Sequence, residues 1–299
     1  MKRHLVQLIA RVPEEVSRIY LVDDACPEGS VRFATERIDD RRIRALYHRE
    51  NVGVGSAVMT GYAQAMVDRD VDVVVKLDGD GQMAPELLPV FVELVWSGQA
   101  DYAKGNRFVR LRSLRQMPKA RLIGNLGLSL LSKVSTGYWS IFDPTNGYTC
   151  IHIDVLRQLD LGQLSKRYFF ESDVLFQLGL LSAVVRDVPM DASYGDETSS
   201  LRLSAALIEF GYKHLRNTVR RLKHRYFVRD LNLTSVALLL GPSLIVLGAV
   251  LSRVSPSSSL GASVMCFAGG LALTLYFLSK DVTGVPCLPI HGTLSREDT

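Results

Sequence analysis

Two uncharged stretches in tandem near the carboxyl end, residues 231–251 and 255–279, are separated only by Ser252, Arg253 and Val254. Each reaches the ~20 residues that an α-helix needs to cross the hydrocarbon core of a bilayer. A buried helical hairpin in a soluble core is the competing explanation, but two such runs side by side favour a transmembrane hairpin. Lys213, Arg216, Arg220, Arg221, Lys223, Arg225 and Arg229 crowd the approach to the first run, whereas the loop between the runs carries only Arg253. The excess of positive charge on one side predicts that the long amino-terminal region and the tail are cytoplasmic. Anionic membrane lipids are the natural partners of the basic cluster, with a solvated basic helix as the alternative.

Composition separates the remaining classes. With 47% hydrophobic and 22% charged residues in 299, the chain is neither disordered nor collagen-like. Its net charge of +4 is concentrated beside the apolar runs and not spread over a reading surface, so nucleic acid is not expected as a partner. Cys26, Cys150, Cys266 and Cys287 are far apart, with no zinc-type spacing and no disulfide framework. The apolar stretch around Leu5 is too short for a secretory signal.

Between residues 17 and 188, short β-branched runs alternate with helical patterns, which predicts an α/β domain with a largely parallel sheet. Strands are expected at 19–22, 43–47, 71–77, 102–104 and 184–188, and helices at 54–67 and 85–96. Residues 122–141 are apolar with Lys133 as the one charge, and read equally as an interfacial helix or a core helix. A basic helix over 203–228 would lead into the first span.

Two acidic clusters fall at carboxyl ends of predicted strands, where α/β sheets place ligands: Asp23-Asp24 after the 19–22 strand, and Asp78-Gly79-Asp80-Gly81-Gln82 after the 71–77 strand. Asp80 and the Gln82 carbonyl are hard oxygen donors suited to Mg or Mn, with Asp78 facing a nucleoside. Taken singly, an acidic strand end is more often a turn or a cap. The turn Asn51-Val52-Gly53-Val54-Gly55 lies between the clusters and reads either as a ligand contact or as a helix start.

These motifs resemble the family 2 glycosyltransferases of GT-A fold, and within them the dolichol-phosphate mannose synthase and bactoprenol glucosyltransferase group. Val22-Asp23-Asp24-Ala25-Cys26-Pro27 is similar to the family's VDDxSxD turn, and Asp78 to Gln82 to its DxDxQ motif. Gly105-Asn106-Arg107-Phe108 is similar to its GSRF. Asp143 to Tyr148 stands at its acceptor-side segment, and Phe170-Glu171-Ser172-Asp173 at its late acidic motif. The resemblance covers roughly residues 15–205 and implies a GT-A (Rossmann-like) catalytic domain over 1–202. A basic juxtamembrane helix over 203–230, a two-helix hairpin over 231–280 and a cytoplasmic tail over 281–299 follow. It also implies that Asp23, Asp24, Asn51 and Asp78 bind a nucleotide-diphosphate sugar and that Asp80 and Gln82 bind the metal. Arg107 and Arg202 are candidate cations for the departing diphosphate, or partners of nearby carboxylates. The resemblance departs at the amino end, where the family's apolar first strand and P-x-[YF]-N-E turn have no counterpart. The expectation is a late start, a truncated copy or impaired nucleotide binding, with the edge of the 19–22 strand exposed.

A hydroxyl acceptor would require Asp173 or Glu171 as general base, whereas a polyprenyl phosphate is already anionic. The membrane features favour inverting transfer of a single sugar to polyprenyl phosphate. Transfer to a lipid-linked saccharide, a non-catalytic membrane scaffold and a nucleotidyltransferase are the rivals. The processive enzymes of the superfamily carry Q-x-x-R-W after the acidic segment, and no tryptophan follows Trp139 here. Self-association is left open by the sequence.

Overall fold

The computed structural model describes residues 2–109, 119–191, 203–254, 260–284 and 289–290. Strand β1 (Ile19–Asp23) pairs in parallel with β2 (Ile43–Tyr47), Ile19 opposite Ile43 and Asp23 opposite Tyr47. Helix α1 (Lys2–Ala10) and helix α2 (Ser30–Thr35) cover this pair, with Leu5 and Ile9 packed on Leu21, Val31 and Ala34. Helix α3 (Val54–Val67) then crosses to β3 (Val73–Lys76), the first strand of a second sheet.

That second sheet corrects the expectation of a largely parallel arrangement. Its order is β3-β5-β4-β6, where β4 is Tyr102–Asn106, β5 is Thr149–His152 and β6 is Val185–Pro189. β5 runs antiparallel to both β3 and β4, and only β4 and β6 are parallel. β5 was not foreseen because its four residues, Thr-Cys-Ile-His, carry no alternation and follow a cluster of turn residues. Its place is set by tertiary pairing on both sides.

Both faces of the sheet are covered. A short 3₁₀ turn over Pro85–Leu87 leads into α4 (Leu88–Trp96), whose Phe91 stacks on Tyr148 at 4.2 Å beside Val95, Cys150 and Val188. On the other face, α6 (Ile153–Leu156) and α7 (Phe170–Leu181) pack Leu156, Phe170, Val174 and Leu178 against Tyr62, Tyr102 and Ile151. Helix α5 (Lys119–Thr136), between β4 and β5, lies against α7 and against α8 (Leu203–Lys223).

A π-helical turn at His224–Arg229 joins α8 to α9 (Leu233–Val254), and α10 (Leu260–Thr283) returns beside it. These last two helices are long and apolar enough to cross a membrane. Their seam is built from small residues: a Cβ on Gly270 would lie 2.8 Å from the Gly241 carbonyl oxygen, so the backbones approach as close as glycine allows. At the end of α10, Asp281 accepts both terminal nitrogens of Arg221, the Tyr226 hydroxyl and the Trp139 indole N–H. One carboxylate thus ties the hairpin to α8 and to the segment after α5.

His214 of α8 is buried, hydrogen-bonded to Ser135 at 2.8 Å and set edge-on to Phe169. Burial lowers its pKa to about 4, well below the ordinary imidazole value. The unfolded chain therefore takes up a proton near pH 6.5 that the folded chain resists until about pH 4, and stability falls as pH drops through that window. Thermal unfolding in detergent is expected to show this loss, on the order of 3 kcal/mol over the window. His214→Gln is expected to flatten it.

Candidate active site

A cleft of about 1180 Å³ opens between β1 and β3, lined by both strands and by α3 and α4. β1 and β3 belong to different sheets, so among the described residues their facing edges carry no ladder partner. The 19–22 edge thus lacks a ladder partner, but its residues are half-buried or buried and not exposed as expected. Asp23, Asp24, Asn51, Asp78 and Asp80 all line the cleft, which brings the two acidic strand ends to one cavity.

The first acidic pair builds a loop. Asp23 accepts the Cys26 backbone N–H at 2.7 Å, closing the turn in which Ala25 has φ 53°. Asp24 accepts the backbone N–H groups of Val52 at 3.0 Å and Gly53 at 2.8 Å, and pairs with His48 Nδ1 at 2.8 Å. Asn51 Nδ2 donates to the Asp24 carbonyl. Burial alone would push the Asp24 carboxyl up, but the His48, Val52 and Gly53 hydrogen bonds prevail and hold it below the usual carboxylate range. The glycines of the 51–55 turn answer to protein backbone: a Cβ on Gly53 would lie 2.5 Å from the Lys166 carbonyl oxygen, and one on Gly55 2.3 Å from that of Ser165.

The second acidic cluster is organised by a cation that belongs to no sequence motif. Lys76 Nζ lies 2.9 Å from Asp78 Oδ1 and 2.9 Å from Glu171 Oε1. Burial would lower this ammonium's pKa, yet Glu171 and Asp78 raise it above the ordinary lysine value. Gly147 closes over the pair, and a Cβ there would fall 2.4 Å from Asp78 Oδ2 and 2.5 Å from Lys76 Nζ. Its strand of chain is braced by Arg107, which makes a bidentate pair with Asp143 at 2.7 Å for each contact. Burial works against ionised Asp143, but the Arg107 guanidinium holds its carboxyl below the usual range. Asn146 then links Asp143 to the Tyr148 backbone.

Asp80 accepts the Gln82 backbone N–H at 2.9 Å across Gly81, whose φ is +79°. Among the described residues no three His, Cys, Asp or Glu converge into a preformed cage. The hard oxygen donors at Asp80 and Gln82 suit Mg or Mn, which take one or two carboxylates and complete their shell with water and phosphate oxygens. Asp173 lies apart from the cleft: it is buried, accepting Ser165 N–H at 3.0 Å, Ser165 Oγ–H at 2.6 Å and Asn217 Nδ2 at 2.9 Å. Arg202 lies outside the described residues. Arg167 and Tyr168 line the cleft and were not singled out from the sequence, where they stand in no motif.

The glycosyl transferase family 2 profile matches residues 2–160, more than half of the chain. The chain belongs to that family. It is 33% identical over 181 residues to the undecaprenyl-phosphate mannosyltransferase of Micrococcus luteus, covering 60% of this chain and 72% of that one. It is 30% identical over 181 residues to the polyprenol monophosphomannose synthase of Mycolicibacterium smegmatis, covering 59% and 67%. Among solved structures, glucosyl-3-phosphoglycerate synthase from Mycobacterium tuberculosis in complex with Mn2+, uridine diphosphate and glucosyl-3-phosphoglycerate aligns with a TM-score of 0.53 at 15% identity. That alignment covers 74% of this chain and 75% of that one. The fold is therefore GT-A, and this family 2 chain is a glycosyltransferase.

Two outcomes follow for this site. Gly147→Ala is expected to displace Asp78 and lower sugar-transfer kcat/KM on the order of a hundredfold, since a shift of about 1 Å at reacting groups has that effect. Lys76→Met removes the shared cation and leaves buried Glu171 facing the partly exposed Asp78 with no positive charge between them. Isothermal titration with uridine and guanosine diphosphates is expected to show weaker binding, with Lys76→Arg recovering part of it.

Proposed function

We propose that this glycosyltransferase moves one sugar, with inversion, from a nucleotide-diphosphate sugar to a polyprenyl phosphate of the dolichyl or undecaprenyl type at the cytoplasmic face of a membrane. The observation that carries the acceptor assignment is the state of the two late carboxylates. Glu171 is engaged by Lys76, and Asp173 by Ser165 and Asn217, so each is committed to a fixed partner. A phosphate acceptor reaches the site already ionised and needs positioning rather than a base. The names of the Micrococcus and Mycolicibacterium relatives support the same acceptor class.

In this reading Asp24 and Asn51 shape the turn against which the nucleotide rests, and Asp78, oriented by Lys76, meets the nucleoside. Asp80 with Gln82 would hold Mg or Mn, which supplies positive charge to the departing diphosphate. Arg107 acts through Asp143, keeping the 143–148 segment seated over Asp78. Two apolar helices, α9 and α10, support a membrane anchor with both ends on the basic, cytoplasmic side.

The test uses membranes from cells expressing the chain, incubated with Mn, polyprenyl phosphate and radiolabelled nucleotide sugars. Label is expected in the lipid phase, and Asp80→Ala is expected to abolish it together with the Mn-dependent thermal shift by nucleoside diphosphate. Label that appears only with a lipid-linked saccharide would replace the acceptor assignment.

A further inference from the structure

The charge of the cleft between β1 and β3 opposes the ligands proposed for it. Asp23, Asp24, Asp78 and Asp80 all line it, and a sugar nucleotide and a phosphate acceptor each bring further negative charge. Among the described residues the lysines and arginines that line it are Arg18, Lys76 and Arg167. Arg18 lies 3.6 Å from Asp68, and Lys76 is buried between Asp78 and Glu171. Arg107 pairs with Asp143. Arg167 is exposed, and among the described residues its guanidinium has no hydrogen-bond or ion-pair partner.

The segment that carries Arg167 is fixed on three sides. The Lys166 carbonyl accepts the Ser56 N–H at 3.1 Å, which fastens the segment to the start of α3. The Arg167 carbonyl accepts the Phe170 N–H at 3.0 Å, which fastens it to the start of α7. Asp173 accepts the Ser165 N–H and hydroxyl, and Lys213 donates to that hydroxyl at 3.2 Å. Gly53 admits the segment: a Cβ there would lie 2.7 Å from Arg167 Cγ, so the arginine stem rests on the turn that Asp24 holds. Buried Asp173, which a phosphate acceptor does not need as a base, thus has a use as the support of this segment.

A guanidinium offers a planar fork of N–H donors that matches phosphate oxygens, and it stays charged throughout the physiological pH range. A stem already held against Gly53 loses little further freedom when its head engages a ligand. We infer that Arg167 is a substrate-binding residue that clamps a phosphate oxyanion in the cleft, supplied by the donor's diphosphate or by the acceptor's monophosphate. Ser165 and Asp173 are its positioning residues. This rests on the reading of the cleft as a sugar-nucleotide site, and adds a cation that belongs to none of the sequence motifs.

The experiment measures binding and turnover separately on the full chain in detergent. It compares the unmodified protein with Arg167→Ala, Arg167→Lys and Arg157→Ala, the last removing an equal charge from an exposed pair with Asp154. The ligands are uridine and guanosine diphosphates with Mn, and undecaprenyl phosphate with undecaprenol as the phosphate-free reference. Arg167→Ala is expected to weaken at least one phosphate ligand by about tenfold, as loss of a charge-assisted hydrogen bond does. Arg167→Lys is expected to recover part of this, and Arg157→Ala to change nothing. The KM of the matching substrate is expected to rise while kcat and the melting temperature stay near their unmodified values. Weakened diphosphates assign the clamp to the donor; weakened undecaprenyl phosphate with unchanged undecaprenol assigns it to the acceptor. Unchanged binding of both overturns the clamp, whatever the transfer assay shows. Equal losses in the alanine and lysine variants, with a lowered melting temperature, overturn it in favour of a structural role. An unmodified chain that moves no sugar to the lipid overturns the acceptor reading alone, and the clamp is then decided by the titrations. A chain that binds neither ligand overturns both.

Discussion

A single buried ammonium holds the catalytic half of this molecule together. Lys76 closes the end of β3 against α7 by sharing its charge between Asp78 and Glu171, so that two acidic motifs far apart in the chain are joined through one cation. Removing either carboxylate would leave the cation half-compensated in a protein interior, and removing the cation would set two carboxylates against each other. The tight passage of Gly147 over this pair, and the Arg107–Asp143 brace behind it, depend on that pair keeping its place.

The acidic strand ends were legible in the sequence because two of them fall at the carboxyl ends of predicted strands, where α/β sheets place ligands. Asp23, Asp24, Asn51, Asp78 and Asp80 indeed come to one cleft. What the sequence hid was the internal use of those groups. Both Asp24 oxygens are spent on His48 and the 52–53 backbone, and His48 stands alone in the sequence with nothing to mark it as the bridge to Thr60. Lys76 was equally silent, since a lysine inside a valine run reads as an edge position. Arg107 was offered either as a free cation or as a carboxylate's partner, and in the fold it makes the bidentate pair with Asp143.

The apolar carboxyl-terminal half was legible at two different levels. The tandem uncharged runs announced α9 and α10 by length alone. For 122–141 the sequence left interface and core equally open, because composition does not say which face of a helix turns inward. Only the packed structure shows serines inward and leucines outward on α5, and the basic character of α8 masked the same inversion there. The same seam contains Ser129 Oγ, His214 Nε2, Asn217 Oδ1 and Arg221 Nε, buried polar atoms that find no partner among the described residues.

The cleft between β1 and β3 has a mechanical consequence. Hydrogen-bonded strands keep a fixed separation and register, so ligand groups at the ends of neighbouring strands normally stand at a set distance. Among the described residues no ladder crosses from the Asp24 side to the Asp78 side, and the two are coupled through the side-chain packing of α3 and through the contact of the 51–55 turn with residues 165–166. The width of the cleft is therefore governed by side-chain packing, softer than the rigid spacing of a continuous sheet.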